Sequence, residues 1–201
     1  MKHFSLICIL ILLLTSGCGD DPTLPRLSAE DVILAFGDSL THGNGATKNE
    51  SYPAVLEKLS GRKVINAGIS GEESAQGLKR LPALLEKHQP KLLILCHGGN
   101  DILRKKDIEK MEANLRQMIQ LAKTQNIPVV LLGVPKPGLF LSSANVYKEI
   151  AESTGVIFIE DLIADVLGDK SLKSDTVHPN KEGYRTMAES IYSLMQLSGA
   201  I

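Results

Sequence analysis

Five short apolar runs constrain this chain most: Val32–Phe36, Lys63–Asn66, Leu92–Cys96, Val129–Val134 and Val156–Ile159. None alternates apolar and polar residues as a strand with one wet face would. Strands of this kind are covered on both faces, which is the signature of a parallel sheet between helix layers. The intervening segments carry helical spacing. Ile108, Met111, Leu115, Met118, Ile119 and Ala122 form a 3.6-residue stripe, and Tyr184, Met187, Ala188, Ile191, Tyr192 and Met195 form another. Helices are also expected over Tyr52–Leu59, Ser74–His88 and Ser142–Ser153, with Pro82 a point of kinking or restart in the second. The expected architecture is a single three-layer α/β/α sandwich with a five-stranded parallel sheet. In such sheets chemistry belongs to the loops at the carboxyl ends of the strands.

The first residues read differently. Met1-Lys2-His3 precedes an apolar run from Phe4 to Leu14, and Thr15-Ser16-Gly17-Cys18 follows. A basic start, a run of about 11 apolar residues and a small-residue end describe a secretory signal. Crossing a bilayer takes about 20 residues, so the run is too short to span. Leu14-Thr15-Ser16-Gly17-Cys18 resembles a bacterial lipobox, with Thr15 where that motif usually has Leu. The expected division is a lipoprotein signal over residues 1–17, a tether over 18–30 beginning at a lipidated Cys18, and a domain over 31–201. A plain secretory signal with an incidental Cys18 is the other reading. The expected location is outside the cytoplasm, anchored by lipid to a bacterial membrane and facing the periplasm or the exterior. Of the three cysteines, Cys8 falls in the leader and Cys96 in an apolar run, so no pair remains for a disulfide. Cys96 is expected to be a small buried hydrophobe.

Charge narrows the function classes. Lys and Arg number 22 against 23 Asp and Glu, which argues against a nucleic-acid partner, since neutralising phosphates needs excess positive charge. Aromatic residues make up 4% and Trp is absent, so base-stacking platforms are not expected. The five His are scattered, without the short spacing of paired metal ligands. No GxGxxG follows the first strand, Gly43–Lys48 lacks the phosphate-loop spacing, and the GxSxG elbow is absent.

Three loops and one late segment carry the chemistry. Gly37-Asp38-Ser39-Leu40-Thr41 follows the first strand and Asn66-Ala67-Gly68-Ile69-Ser70-Gly71 the second. Gly98-Gly99-Asn100-Asp101 follows the third, and Asp175-Thr176-Val177-His178-Pro179 precedes the last helix. A serine at a strand-to-helix turn exposes its hydroxyl at the sheet edge, near helical N–H groups that favour developing negative charge. A free hydroxyl is a weak nucleophile and needs a base. Histidine suits that task near neutrality, and the base in turn needs an orienting group on its other nitrogen. Asp175, three residues before His178, can reach its Nδ1.

This set of blocks resembles the GDSL esterases, or SGNH hydrolases, over about residues 31–195. Gly71–Pro90 and Leu92–Asp101 look like the bacterial thioesterase, arylesterase and lysophospholipase branch. The resemblance implies the flavodoxin-like SGNH hydrolase fold, with Ser39 as nucleophile, His178 as base and Asp175 as orienter. It also implies an oxyanion hole from the N–H groups of Ser39 and Gly71 and the amide of Asn100. It implies a serine esterase acting through an acyl-enzyme on carboxylic esters, aryl or alkyl, with lysophospholipid or thioesters within the class. No cofactor, metal or obligate protein partner is called for; the partners are a small acyl ester and, through the lipid anchor, a membrane. A carbohydrate O-acetylesterase of the envelope and a non-catalytic envelope-binding lipoprotein on the same fold are the alternatives.

The remaining candidates have blander readings. Asp38 is expected to cap the following helix, and His42 to border the pocket mouth. His97 stands where the related enzymes usually carry an apolar residue; a satisfied buried histidine is preferred over a pocket-tuning one. Leu139, Phe140 and Leu141, in the loop 135–143, either line an acyl channel or pack. Lys79-Arg80 and Lys105-Lys106 are read as solvated helix surface.

Overall fold

The computed structural model describes residues 23–136, 138 and 141–201. The expected leader (1–17), Cys18, Leu139 and Phe140 therefore lie outside the described residues.

Five parallel strands form one sheet: β1 Val32–Gly37, β2 Lys63–Gly68, β3 Leu92–Cys96, β4 Val129–Leu132 and β5 Ile157–Ile159, in the order β2-β1-β3-β4-β5. Every residue of β3 and β4 is buried, which explains their uninterrupted apolar sequence. Among the described residues eight helices accompany the sheet: α1 Ser39–His42, α2 Tyr52–Ser60, α3 Ser74–His88, α4 Gly99–Leu103, α5 Ile108–Thr124, α6 Asn145–Thr154, α7 Leu162–Gly168 and α8 Lys181–Leu197. One 3-10 turn spans Lys48–Glu50. Helix α8 packs on α2 and α7, whereas α5 packs on α3 and α6. The chain steps one way from β1 to β2 and the other way from β2 to β3 onward. With right-handed crossovers, that reversal places the two helix groups on opposite faces. The three-layer α/β/α expectation therefore holds.

The reversal also creates a topological switch point between the carboxyl ends of β1 and β3, where ligands bind in open α/β sheets. Ser39 follows β1 there, and Asn100 follows β3. Several local details differ from the sequence reading. Pro82 does not restart α3, which runs unbroken from Ser74 to His88. It lies on the exposed face, where the carbonyl one turn back can turn to water. Leu24 and Leu27, expected in the tether, are instead buried in the core. Their N–H groups donate to the carbonyls of Ser198 (3.0 Å) and Ala200 (2.7 Å), so this segment is packed against the end of the chain. Cys96 is fully buried, as a small hydrophobe should be.

Candidate active site

Ser39 is the first residue of α1. Asp38 caps that helix: its Oδ1 accepts the N–H of Leu40 at 3.1 Å. Burial pushes the Asp38 carboxyl up from the usual range, against hydrogen bonds from Leu40 and Asn100 and the proximity of His97 and His178. The capping role read from the sequence is thus the geometry found.

The segment 173–180 curls for reasons its residues supply. Lys173 and Pro179 form an isolated antiparallel bridge, and the N–H of Ser174 donates to the carbonyl of His178 at 2.9 Å. Asp175 Oδ1 accepts the N–H groups of Val177 and His178, both at 2.8 Å, in an Asx-type turn. That turn leaves Asp175 Oδ2 2.8 Å from His178 Nδ1. The far end is held by Asn180, whose Oδ1 caps α8 through the N–H groups of Glu182 and Gly183. His178 Nε2 then stands 3.0 Å from Ser39 Oγ, a contact between groups 139 residues apart. Partial burial pushes the Asp175 carboxyl up, but bonds from the His178 ring and from the Val177 and His178 N–H groups outweigh it. The carboxyl is held below its ordinary value of 3.8. A hydroxyl, an imidazole and a carboxylate in this order can pass a proton from the serine to Nε2 while Nδ1 keeps its own proton and donates it in a hydrogen bond to the aspartate.

Gly71 and Asn100 join Ser39 and His178 on the wall of a cleft of about 610 Å³. Gly71 has φ +76°, a left-handed conformation that costs glycine nothing. Its carbonyl accepts from Arg104 Nη1 at 3.0 Å. The Asn100 amide nitrogen donates to the Glu72 carbonyl at 3.1 Å and to Asp38 Oδ2 at 3.2 Å. Leu103, Val134, Leu141, Leu167 and Val177 give the cleft an apolar lining, and Lys136 and Lys173 border it. Of the three residues weighed as an acyl channel, Leu141 lines the cleft. His42 does not; its Nδ1 faces the Gly68 carbonyl at 3.4 Å.

Two residues have roles that sequence reasoning missed. Arg80, read as solvated surface, turns inward: its Nε and Nη2 grip the Glu72 carboxylate at 2.6–2.9 Å. Nη2 also donates to the carbonyls of Gly37 (3.1 Å) and Ala67 (2.8 Å), and the guanidinium lies 4.1 Å from the Phe36 ring centre. Asp101 serves the start of a different helix from its own. Its Oδ2 accepts the Ser74 N–H at 2.8 Å and its Oδ1 the Ser74 hydroxyl at 2.7 Å, at the head of α3. The partners lie 8 and 27 residues apart with no local spacing to link them, so only the fold exposes them. Among the described residues no cluster of three or more His, Cys, Asp or Glu could hold a metal.

On a sheet of this order, a Gly-Asp-Ser turn at the switch point marks the lipolytic acylhydrolases as a class. The chain belongs to the GDSL-like lipase/acylhydrolase family, whose model matches residues 35–186. It is 33% identical over 179 residues to the thioesterase 1/protease 1/lysophospholipase L1 of Escherichia coli K12, covering 85% of this chain and 86% of that one. To the esterase TesA of Pseudomonas aeruginosa it is 30% identical over 195 residues, covering 92% and 97%. Among solved structures, the psychrotrophic esterase EstA from Pseudoalteromonas sp., inhibited by monoethylphosphonate, superposes with a TM-score of 0.74. That match has 27% identity and covers 84% of this chain and 98% of the other.

Proposed function

We propose that the protein is a serine esterase that hydrolyses carboxylic esters through an acyl-enzyme, with Ser39 as nucleophile, His178 as base and Asp175 as its orienter. The observation that carries this reading is the 3.0 Å approach of His178 Nε2 to Ser39 Oγ inside the apolar cleft. Ser39 Oγ attacks the ester carbonyl carbon as its proton passes to His178 Nε2. The tetrahedral oxyanion collapses, the C–O bond to the leaving group breaks, and the imidazolium returns the proton to the departing alcohol. Water then attacks the acyl-serine with the same base, releasing the acid and restoring the hydroxyl. A thioester would follow the same path with a thiol leaving.

The N–H groups of Ser39 and Gly71 and the amide of Asn100 are proposed to hold the oxyanion. Asn100 lends itself to this, since a neutral amide adds no rival charge or proton source. Its present acceptors, the Glu72 carbonyl and Asp38, hold the amide at the cleft wall. Asn100→Ala is expected to lower kcat by about 10²- to 10³-fold, the usual cost of one such donor, in steady-state kinetics on a p-nitrophenyl ester.

The apolar lining favours an acyl chain of several methylenes, each worth about 0.8 kcal/mol when buried. A panel of p-nitrophenyl esters of increasing chain length, run beside an acetylated sugar, tests this. Rates that rise from acetate toward medium chains support the reading. Turnover confined to the acetylated sugar would favour a carbohydrate O-acetylesterase, and binding without turnover a non-catalytic lipoprotein.

The leader supports export and anchoring: residues 1–17 as signal, Cys18 as the acylated residue, and a tether ending before the packed Leu24. No helix among the described residues is long and apolar enough to cross a membrane. Cys18→Ser is expected to shift the protein from the membrane to the soluble fraction on cell fractionation. Continued retention of that variant would contradict lipidation.

A further inference from the structure

His97 is fully buried, and the proposed proton transfers make no use of it. Its two ring nitrogens nevertheless touch two different loops. Nδ1 accepts the N–H of Gly98 at 2.9 Å. That nitrogen therefore carries no proton, and in the neutral ring the proton sits on Nε2, 3.1 Å from Glu72 Oε2. Gly98 is the N-cap of α4, the helix whose second residue is Asn100. Glu72 directly follows Gly71 in the β2–α3 loop, and its carbonyl accepts from the Asn100 amide.

The surroundings are fitted to this imidazole. A Cβ at Gly77, on the buried face of α3, would collide with His97 Nε2. The Phe36 ring lies 5.7 Å away, centre to centre, and the Tyr147 hydroxyl donates to the His97 carbonyl at 2.8 Å. Glu72 takes its other bonds from Arg80, which also holds the last carbonyl of β1 and the Ala67 carbonyl of β2. Burial pushes the Glu72 carboxyl up, but the hydrogen bonds of His97 and Arg80 outweigh it and hold it low. An apolar residue at 97 would leave the Gly98 N–H without this acceptor and Glu72 without this donor.

We infer that His97 is a positioning residue for ester hydrolysis, its ring bridging Glu72 and Gly98 so that the Gly71 N–H and the Asn100 amide converge on one oxyanion. This rests on the catalytic reading of Ser39 given above. Misplacing reacting groups by about 1 Å can cost about 100-fold in rate. Displacing two loops while the acyl lining stays intact lowers kcat and spares KM.

The test measures kcat and KM on one p-nitrophenyl ester for the parent, Ser39→Ala, His97→Leu, His97→Gln and His97→Asn. The thermal midpoint of each is recorded alongside. The Gln amide reaches Glu72 as Nε2 does, whereas Asn is too short. The expected result is a kcat lowered about 10- to 100-fold in His97→Leu with KM within about twofold, and a kcat at least about fivefold higher in His97→Gln. If His97→Leu does not fold, the same ordering is expected of Gln over Asn. With the parent rate dependent on Ser39, three outcomes overturn this inference alone. These are a folded Leu variant at parent kcat, a loss confined to KM, or a Gln variant no better than Leu or Asn. A parent rate that survives Ser39→Ala overturns the catalytic reading itself, and the inference with it.

Discussion

Ser39→Ala is expected to lower kcat on a p-nitrophenyl ester by about 10⁴- to 10⁶-fold while leaving the fold intact. The hydroxyl is the proposed attacking atom, so its removal leaves only catalysis by binding and the oxyanion donors. The structural cost is small. Ser39 is half-buried, and its hydroxyl bonds to His178; α1 is capped by Asp38, not by Ser39. The thermal midpoint should therefore stay within about 2 °C of the parent, consistent with a substitution worth under about 0.5 kcal/mol. Activity close to the parent's in a folded Ser39→Ala variant would remove the nucleophile from the account.

His178→Ala is expected to cost a similar factor, since a serine and its base act as a unit and removing either forfeits most of their joint effect. The two losses differ in character: the hydroxyl remains in this variant but lacks an acceptor for its proton. The parent should also lose activity toward acid, because an imidazolium cannot take up the serine proton, and histidines titrate characteristically between about pH 5 and 8. Asp175 is not the source of that loss. Its carboxyl is held below 3.8, so it stays ionised across this window, and its contribution disappears only as the pH falls further. A rate–pH profile of the parent flat from about pH 5 to 8 would contradict His178 as base.

The sequence showed most of the scaffold because its sheet is covered on both faces. Apolar runs mark the strands, unbroken in β3 and β4 and shortest in β2, where exposed Lys63 and Asn66 flank Val64 and Ile65, and the long helices α5 and α8 each bury a single stripe. The short helices were not visible. Helix α1 is one turn, and α7 buries Leu162, Ile163, Ala164, Val166 and Leu167, leaving no polar face to set a period. At the site, the spacing from Asp175 to His178 was readable because one Asx turn brings both side chains together. The meeting of Ser39 with His178 came from loop order on the sheet. Arg80, Glu72 and His97 could not be read in this way. Their contacts join residues 8 and 25 positions apart, and Arg80 borders a helix stripe where solvent and interior are equally available. Leu24 and Leu27 were hidden by the Pro-flanked polar stretch around them, although both pack into the core.

The most direct measurement is reaction of the folded protein with a fluorophosphonate ester, followed by intact mass and peptide mapping. A tetrahedral phosphonyl group bonded to the serine mimics the acyl transfer intermediate. One adduct per chain is expected, on the peptide containing Ser39, formed slowly in His178→Ala and absent in Ser39→Ala. Folded protein that turns over esters yet takes no adduct, or takes it elsewhere with Ser39 unmodified, would contradict Ser39 as the nucleophile.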